Sequence, residues 1–192
     1  MRRILALAAL AIFPSQGAAA ETVPVAGFQS VQLRGGGEVV VRHGPAQRVT
    51  IIEGSSAVTR FEVKGGGNRQ LVISVCEDRC PRNYRLKVEI VTPTLAGMAI
   101  EGGGRMAAAG SFPQQPSLGL AIRGGGTIDA RTVAAASVGA AVNGGGLINT
   151  HALRRLGAAI NGGGAIRYWG DPAISTAING GGAVTRGGAG TR

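Results

Sequence analysis

The side chains that could carry acid–base chemistry are ten carboxylates and two histidines. Only Glu101, Asp129 and Asp171 lie in the glycine-rich second half of the chain, and Glu101 and Asp129 fall at different offsets from the glycine runs. Polysaccharide cleavage needs paired carboxylates, or a base with a cation, gathered on one face. His43 and His151 stand alone in segments expected to be loops. The spacing therefore favours a protein without catalytic residues or cofactor, with a polysaccharide-active enzyme as the alternative.

Two cysteines, Cys76 and Cys80, are separated by three residues. Two thiolates alone make a poor zinc site, because structural zinc takes four ligands and no histidine lies nearby. In an oxidising compartment a disulfide closing this short loop is the favoured state. The sequence therefore predicts a disulfide and no metal site.

Tyr168 and Trp169 are adjacent aromatic residues, and Trp169 is the only tryptophan. Aromatic side chains can form a platform on which a sugar stacks, which makes this pair the candidate binding residues. In the alternative, Tyr168 packs inward and serves only the core. Strand neighbours point to opposite sides, so Trp169 would then point outward.

The first twenty residues have the pattern of a secretory signal. Arg2 and Arg3 precede a ten-residue apolar run, and Ala18 and Ala20 supply an A-x-A cleavage site. The run is too short to cross a bilayer as a helix, which takes about 20 residues. We therefore expect cleavage after Ala20, no transmembrane segment in the mature chain, and a periplasmic, cell-surface or secreted location.

The mature chain is basic. Without Arg2 and Arg3, the 20 lysines and arginines become 18, against 10 acidic residues. This balance permits attraction to an acidic glycan or an envelope protein. The basic residues are scattered, and few aromatic residues could stack on bases, so nucleic acid is not an expected partner.

Seven Gly-Gly-Gly runs organise the chain, and the last three begin 18 residues apart. An apolar residue lies two positions before each run, and another lies two positions after it except at Arg69. The residue just before each run is polar, and it is asparagine in the last three units. A fixed period of this size indicates stacked structural repeats. The runs begin at Gly35, Gly65, Gly102, Gly124, Gly144, Gly162 and Gly180.

Strand geometry gives this repeat a physical interpretation. Apolar residues at alternate positions place one side of each strand inward, and glycines allow sharp corners. One unit cannot bury its own apolar side, so units must stack as an all-β solenoid. The alanines beside the apolar positions (Ala121, Ala141, Ala159 and Ala177) are expected to line a narrow interior. Asn143, Asn161 and Asn179 would form a ladder of side-chain amides.

The N-terminal part of the mature chain differs from the repeats. Its segments 38–42, 48–53, 59–64, 70–75 and 84–92 are predicted strands, in hairpins or irregular units, with the cysteine loop joining the last two. The predicted organisation has four parts in one continuous domain after the signal. These are residues 1–20 as the signal, 21–97 as an N-terminal β region that caps the solenoid, 98–186 as the glycine-corner repeats, and 187–192 as a disordered tail.

These pieces together resemble the head GIN domain family of bacterial autotransporter adhesins. The resemblance begins at Phe28–Val31 and continues through Leu71–Val75 and Leu86–Leu95 to the glycine runs. It implies a right-handed parallel β-helix that is exported and has no established catalytic residues. The chain departs from the family where it has Gly-Gly-Gly in place of the usual Gly-Ser-Gly.

The functional hypothesis that follows is a structural or adhesion module of the cell envelope. Its ladder would present a flat, mildly basic face to a glycan or a surface protein. The alternative is a periplasmic binding protein for a soluble ligand or an envelope protein.

Overall fold

The computed structural model describes residues 20–66, 69–76 and 80–188, and over these ranges the protein is all-β, as predicted. No helix in these ranges is long and apolar enough to cross a membrane. Apart from Ala20, the predicted signal lies outside them. The strands are β1 (Glu21–Val23), β2 (Ser30–Arg34), β3 (Glu38–His43), β4 (Arg48–Glu53), β5 (Thr59–Lys64), β6 (Gln70–Val75), β7 (Lys87–Thr92), β8 (Gly97–Gly102), β9 (Arg105–Ala109), β10 (Gln115–Gly124), β11 (Thr127–Gly144), β12 (Leu147–Asn161), β13 (Ala165–Trp169), β14 (Ala173–Asn179) and β15 (Ala183–Arg186).

The strands form two ladders that share the long strands β11 and β12. Ladder A runs in the order β1-β4-β7-β3-β9-β11-β12-β13-β15. Ladder B runs in the order β5-β6-β2-β8-β10-β11-β12-β14. From β8 to β15 the pairings are parallel, and corresponding residues of successive units lie side by side. We call one passage of the chain through ladder B, a glycine corner and ladder A a rung.

The core lies between the two ladders and consists of residues at alternate strand positions. Ile122, Val142 and Ile160 are neighbours in register and are buried. The interior prediction for the neighbouring alanines was wrong, because all four are exposed. Since adjacent residues point to opposite sides, Ile122 facing inward places Ala121 outward. Beside these positions the small interior residues of ladder B are instead Ala140 and Ala158.

Six of the seven glycine runs stack in one column where the chain passes from ladder B to ladder A. The first glycine of each has a φ between 95° and 126°, a conformation that other residues rarely adopt. Each also lies close to a neighbouring unit; for example, a Cβ at Gly124 would be 2.5 Å from the carbonyl oxygen of Gly102. The exception is Gly65, which follows β5 in the turn toward β6, two strands that pair antiparallel. This is also the run whose apolar position holds Arg69.

The N-terminal strands extend the same two ladders. The rung formed by β2 and β3 lies between the rung of β8 and β9 and a rung formed by β6 and β7, all in parallel register. Beyond β6 and β7, the pairing becomes antiparallel with β5 in ladder B and with β4 and then β1 in ladder A. Each predicted segment contains a strand, but the one predicted at 84–92 begins only at Lys87, and β1 and β2 were not among the predictions. The N-terminal pairing is mixed.

The corner between β6 and β7 contains a disulfide in place of a glycine run. Cys76 and Cys80 are bonded, as predicted, with Cα atoms 5.4 Å apart. Cys76 directly follows β6 and has a φ of 51°, in the left-handed region that glycines adopt at the other corners. This corner also packs on the neighbouring one, since a Cβ at Gly37 would contact the carbonyl oxygen of Leu86.

Replacing both cysteines by serine is expected to lower the free energy of unfolding by about 2 kcal/mol, because the bridge constrains a short loop in the unfolded chain. Urea unfolding followed by circular dichroism measures this change. Reduced wild-type protein should shift by the same amount, and the variant should not respond to reductant. Detection of two free thiols in the unreduced, denatured mature protein would contradict the bridge.

The C-terminal end of the stack is formed by β14 and β15. Gly187 and Gly188, placed by the sequence in the tail, bond to β13. The amide of Gly187 donates to the carbonyl oxygen of Tyr168 at 2.8 Å, and Trp169 Nε1 donates to the carbonyl oxygen of Gly188 at 2.9 Å. The remainder of the predicted tail, 189–192, lies outside the described residues.

Candidate binding face

The outward side of ladder B carries side chains that repeat from rung to rung. Its columns hold glycine, then alanine, then a polar residue, and we call this surface the Gly–Ala–Asn face. The glycine column is Gly119, Gly139 and Gly157, the alanine column is Ala121, Ala141, Ala159 and Ala177, and the polar column is Arg123, Asn143, Asn161 and Asn179.

The glycine column is not required by the backbone. Neither Gly139 nor Gly157 has a positive φ, and a Cβ at either position would meet no atom within 4 Å. Glycine in a strand costs about 0.5–1 kcal/mol relative to alanine. Strand glycines often mark places where another molecule approaches closely. The column therefore keeps this surface flat at some cost to stability.

The alanine and polar columns line a shallow groove of about 600 Å³. The three asparagines are exposed and are Cα neighbours in register. Among the described residues, no hydrogen bond joins their side chains to one another. Each amide therefore keeps both its donor and its acceptor free for a ligand.

The charges on this face are mainly positive. Glu101 continues the polar column toward the N-terminal end and forms ion pairs with Arg34 at 2.9 Å and with Arg123 at 3.4 Å. Arg155 pairs with Ala173 in register and lies on the same outward side, because the adjacent Leu156 is buried. Within the described ranges no ion pair joins Arg155 to a carboxylate. The face is therefore mildly basic, as the composition suggested.

Tyr168 and Trp169 lie on ladder A and are not part of this face. Tyr168 packs against the core, in the column of Thr150. Trp169, on the opposite side of β13, has the guanidinium carbon of Arg131 at 5.2 Å from its ring centroid and uses its indole N–H to hold Gly188. A sugar stacking on Trp169 would have to compete with these contacts.

The three carboxylates of the repeats are apart from one another. Glu101 lies on ladder B, whereas Asp129 lies on ladder A and binds Arg131 with an oxygen–nitrogen distance of 2.6 Å. Asp171 faces Arg186 at 3.5 Å. Burial alone would raise the pKa of Asp129, but the hydrogen bonds and charge of Arg131 outweigh burial and lower it. A general acid needs a raised pKa, so Asp129 is unsuited to that role.

The histidines lie in strands, so their prediction as loop residues was wrong. His43 ends β3 and meets the ring of Phe112 edge-on, with centroids 5.7 Å apart. His151 lies in β12, beside Trp169 in register. In the part of the chain that the structure covers, no three histidines, cysteines or acids are grouped to hold a metal ion.

These features define a class of protein: an all-β stack with a flat, repetitive, mildly basic outer face. Residues 116–172 match the family described as "Putative auto-transporter adhesin, head GIN domain". The resemblance to this family is thereby confirmed over residues 116–172, which include the Gly–Ala–Asn face from Gly119 to Asn161.

Solved structures of proteins from several bacteria are similar to the chain over most of its length. One from Bacteroides fragilis, described as a putative adhesin, is 21% identical, with 90% of this chain and 98% of that chain covered and a TM-score of 0.48. One from Clostridium sporogenes, described as a putative cell adhesion protein, is 14% identical, with 88% and 98% covered and a TM-score of 0.40. One from Parabacteroides distasonis, described as a putative lipid binding protein, is 18% identical, with 88% and 96% covered and a TM-score of 0.35. No curated protein matches the chain.

Proposed function

We propose that the protein is an exported, non-catalytic adhesion module of the cell envelope that binds an extended acidic glycan through the Gly–Ala–Asn face. The observation that carries this proposal is the glycine column at Gly139 and Gly157. These glycines weaken their strands and serve no contact within the molecule, so their benefit lies in what approaches the face from outside.

The polar column supplies groups that suit a sugar chain. The amides of Asn143, Asn161 and Asn179 can each donate to and accept from hydroxyl groups. They repeat at the strand spacing of about 4.8 Å, close to the length of one sugar ring. Arg123 and Arg155 add charge for carboxylate groups on the glycan.

Gly157→Tyr is expected to weaken binding of an acidic polysaccharide by tenfold or more, because the ring would occupy the middle of the flat face. The change should leave the fold intact, since an added Cβ there meets no atom within 4 Å. Binding is measured by biolayer interferometry with alginate, polygalacturonate and purified lipopolysaccharide as probes, at two salt concentrations.

Gly163→Tyr is the matched control, because Gly163 also has open space around it but lies at a corner, off the face. It should bind as wild type does. Trp169→Ala tests the aromatic pair and should also leave binding unchanged. Equal binding by wild type and Gly157→Tyr, or a selective loss in Trp169→Ala, would place the binding surface elsewhere.

The non-catalytic part of the proposal is supported by the separation of Glu101, Asp129 and Asp171 and by their arginine partners. Incubation with the same polysaccharides should release no new reducing or unsaturated ends. Turnover that Asp129→Asn or Glu101→Gln abolished would refute it. A pull-down from envelope extract distinguishes the adhesion module from the alternative, a periplasmic binding protein. A binding protein for one soluble partner would retain that partner and not the glycan.

Export and domain organisation are part of the same proposal. Residues 1–20 act as the signal, 21–97 supply the N-terminal rungs and the antiparallel strands that cap the stack, and 98–186 form the glycine-corner repeats of a right-handed β-solenoid. Cell fractionation should find the protein in the periplasm or at the surface, with Glu21 as its first residue. A cytoplasmic protein that retains Met1 would contradict export.

A further inference from the structure

The last strand of ladder B is an exposed edge. All seven residues of β14 are exposed, and among the described strands β14 pairs only with β12. Ile174 and Ile178 continue the buried column of Leu156 and Ile160, yet they are 43% and 45% exposed. The apolar interior therefore opens to the surroundings at this end.

The two ends of ladder B differ in charge. At the N-terminal end, β5 carries Arg60, Glu62 and Lys64, with an ion pair of 2.9 Å between the last two. Charged side chains on an edge strand oppose pairing with another molecule. In contrast, β14 has neither a charged residue nor a proline. An uncharged edge of this kind favours addition of a further strand.

The backbone shows which groups of β14 are free. The carbonyl oxygen of Asn179 accepts from the amide of Gly162, at the end of β12, at 2.8 Å. In a parallel ladder a residue directs both its N–H and its C=O to the same neighbour, and successive residues alternate. Ser175 and Ala177 therefore bond toward β12. Ile174, Thr176 and Ile178 direct their backbone groups to the open edge.

The sequence of β14 is symmetric about its centre. Ile174 and Ile178 lie two positions on either side of Thr176, and the small residues Ser175 and Ala177 lie one position away. If an identical strand is added antiparallel about Thr176, each Ile174 faces an Ile178. In this register Thr176 also faces Thr176 of the other copy. The facing pairs of Ile174, Thr176 and Ile178 can therefore form backbone hydrogen bonds, because these are the residues whose backbone groups are free. No charged side chain opposes another in this register.

We propose that a second copy of this chain covers this edge, tail to tail, with the two β14 strands antiparallel and Thr176 on the two-fold axis. The apolar interiors of the two stacks become continuous across the interface. A head-to-tail arrangement would instead bring the charged β5 of one copy against the isoleucines of the other. The dimer does not depend on the proposed glycan binding.

Cysteine cross-linking tests the register. In a hydrogen-bonded antiparallel pair, facing Cα atoms are about 5.5 Å apart, within disulfide range. Thr176→Cys should therefore form a covalent dimer under mild oxidation, visible on a non-reducing gel. In the control Ser175→Cys the two cysteines would be diagonal, roughly 7–8 Å apart, and should cross-link much more slowly. Equal cross-linking of the two variants would overturn the proposal.

Sedimentation equilibrium of the mature wild-type protein tests the dimer itself and should show a monomer–dimer equilibrium. Thr176→Lys places two like charges on the axis and should raise the dissociation constant roughly a hundredfold. Circular dichroism should show unchanged strand content in this variant. A wild type that stays monomeric at all concentrations, or that grows beyond a dimer into filaments, would overturn the tail-to-tail arrangement.

Discussion

Gly144→Ala is expected to lower the free energy of unfolding by about 2–6 kcal/mol, the sum of backbone strain and overpacking. Gly144 has a φ of 126°, and an added Cβ would lie 2.6 Å from the carbonyl oxygen of Gly124. The corner cannot move away without breaking hydrogen bonds to the rung before it, such as that from Gly145 N to Gly124 O at 3.1 Å. Guanidinium unfolding of the mature protein, followed by far-ultraviolet circular dichroism, measures the loss.

Gly145→Ala, one residue further along, is the matched control. A Cβ there meets nothing within 4 Å, and the residue has no positive φ. Its effect should be near zero or stabilising by about 0.4–1 kcal/mol, because alanine has less freedom in the unfolded chain. Gly145→Ser should behave alike, because its side chain would also have open space. Similar losses for Gly144→Ala and Gly145→Ala would refute the assigned corner geometry.

Deletion of residues 145–162 is expected to leave a folded protein that is one rung shorter. The deletion joins Gly144 to Gly163, so Ala165 takes the place of Leu147 beside Thr127, and Asn179 takes the place of Asn161 beside Asn143. Each rung contacts mainly its neighbours, so removal of a whole rung closes the stack again. Unfolding should remain cooperative, with a lower midpoint, as measured by calorimetry and circular dichroism.

Deletion of residues 145–153, half of that length, is the control and should abolish folding. The glycine corner at Gly144 would then be followed directly by residues 154–161. These residues form ladder B in the native protein, but after the deletion they would have to lie in ladder A. Inward and outward residues would no longer match those of β11. A folded half-rung deletion, or an unfolded whole-rung deletion, would contradict the rung as the repeating unit.

The sequence predicted the repeating part of the fold because its signals are local. An apolar residue two positions before each glycine run is enough to define the inward side, and the period of 18 residues sets the rung. The outlier was visible as well: the run at Gly65 is followed by Arg69 where the others have an apolar residue, and this run lies outside the corner column.

Other features depend on distant parts of the chain and could not be predicted in this way. Nothing near β2 indicates that β6, about forty residues later, will pair with it. The sequence around His43 does not indicate a strand, because its strand partner, Thr92, is also distant. The wrong prediction that Ala121 and its equivalents line the interior had a different cause. Adjacent strand residues point to opposite sides, so an inward Ile122 already implies an outward Ala121. The same reasoning applied to Gly139 and Gly157 would have revealed the flat face.

The position of the rung formed by β2 and β3 has a consequence for how the chain reaches its native state. This rung is early in the sequence but interior in the stack, because β6 and β7 cover one side and β8 and β9 the other. A polypeptide that emerges N-terminus first can thus assemble strands β1 to β7, between Glu21 and Thr92, into a seed. Each later segment then adds to a template already in place, at a loop-closure cost that stays the same with every addition.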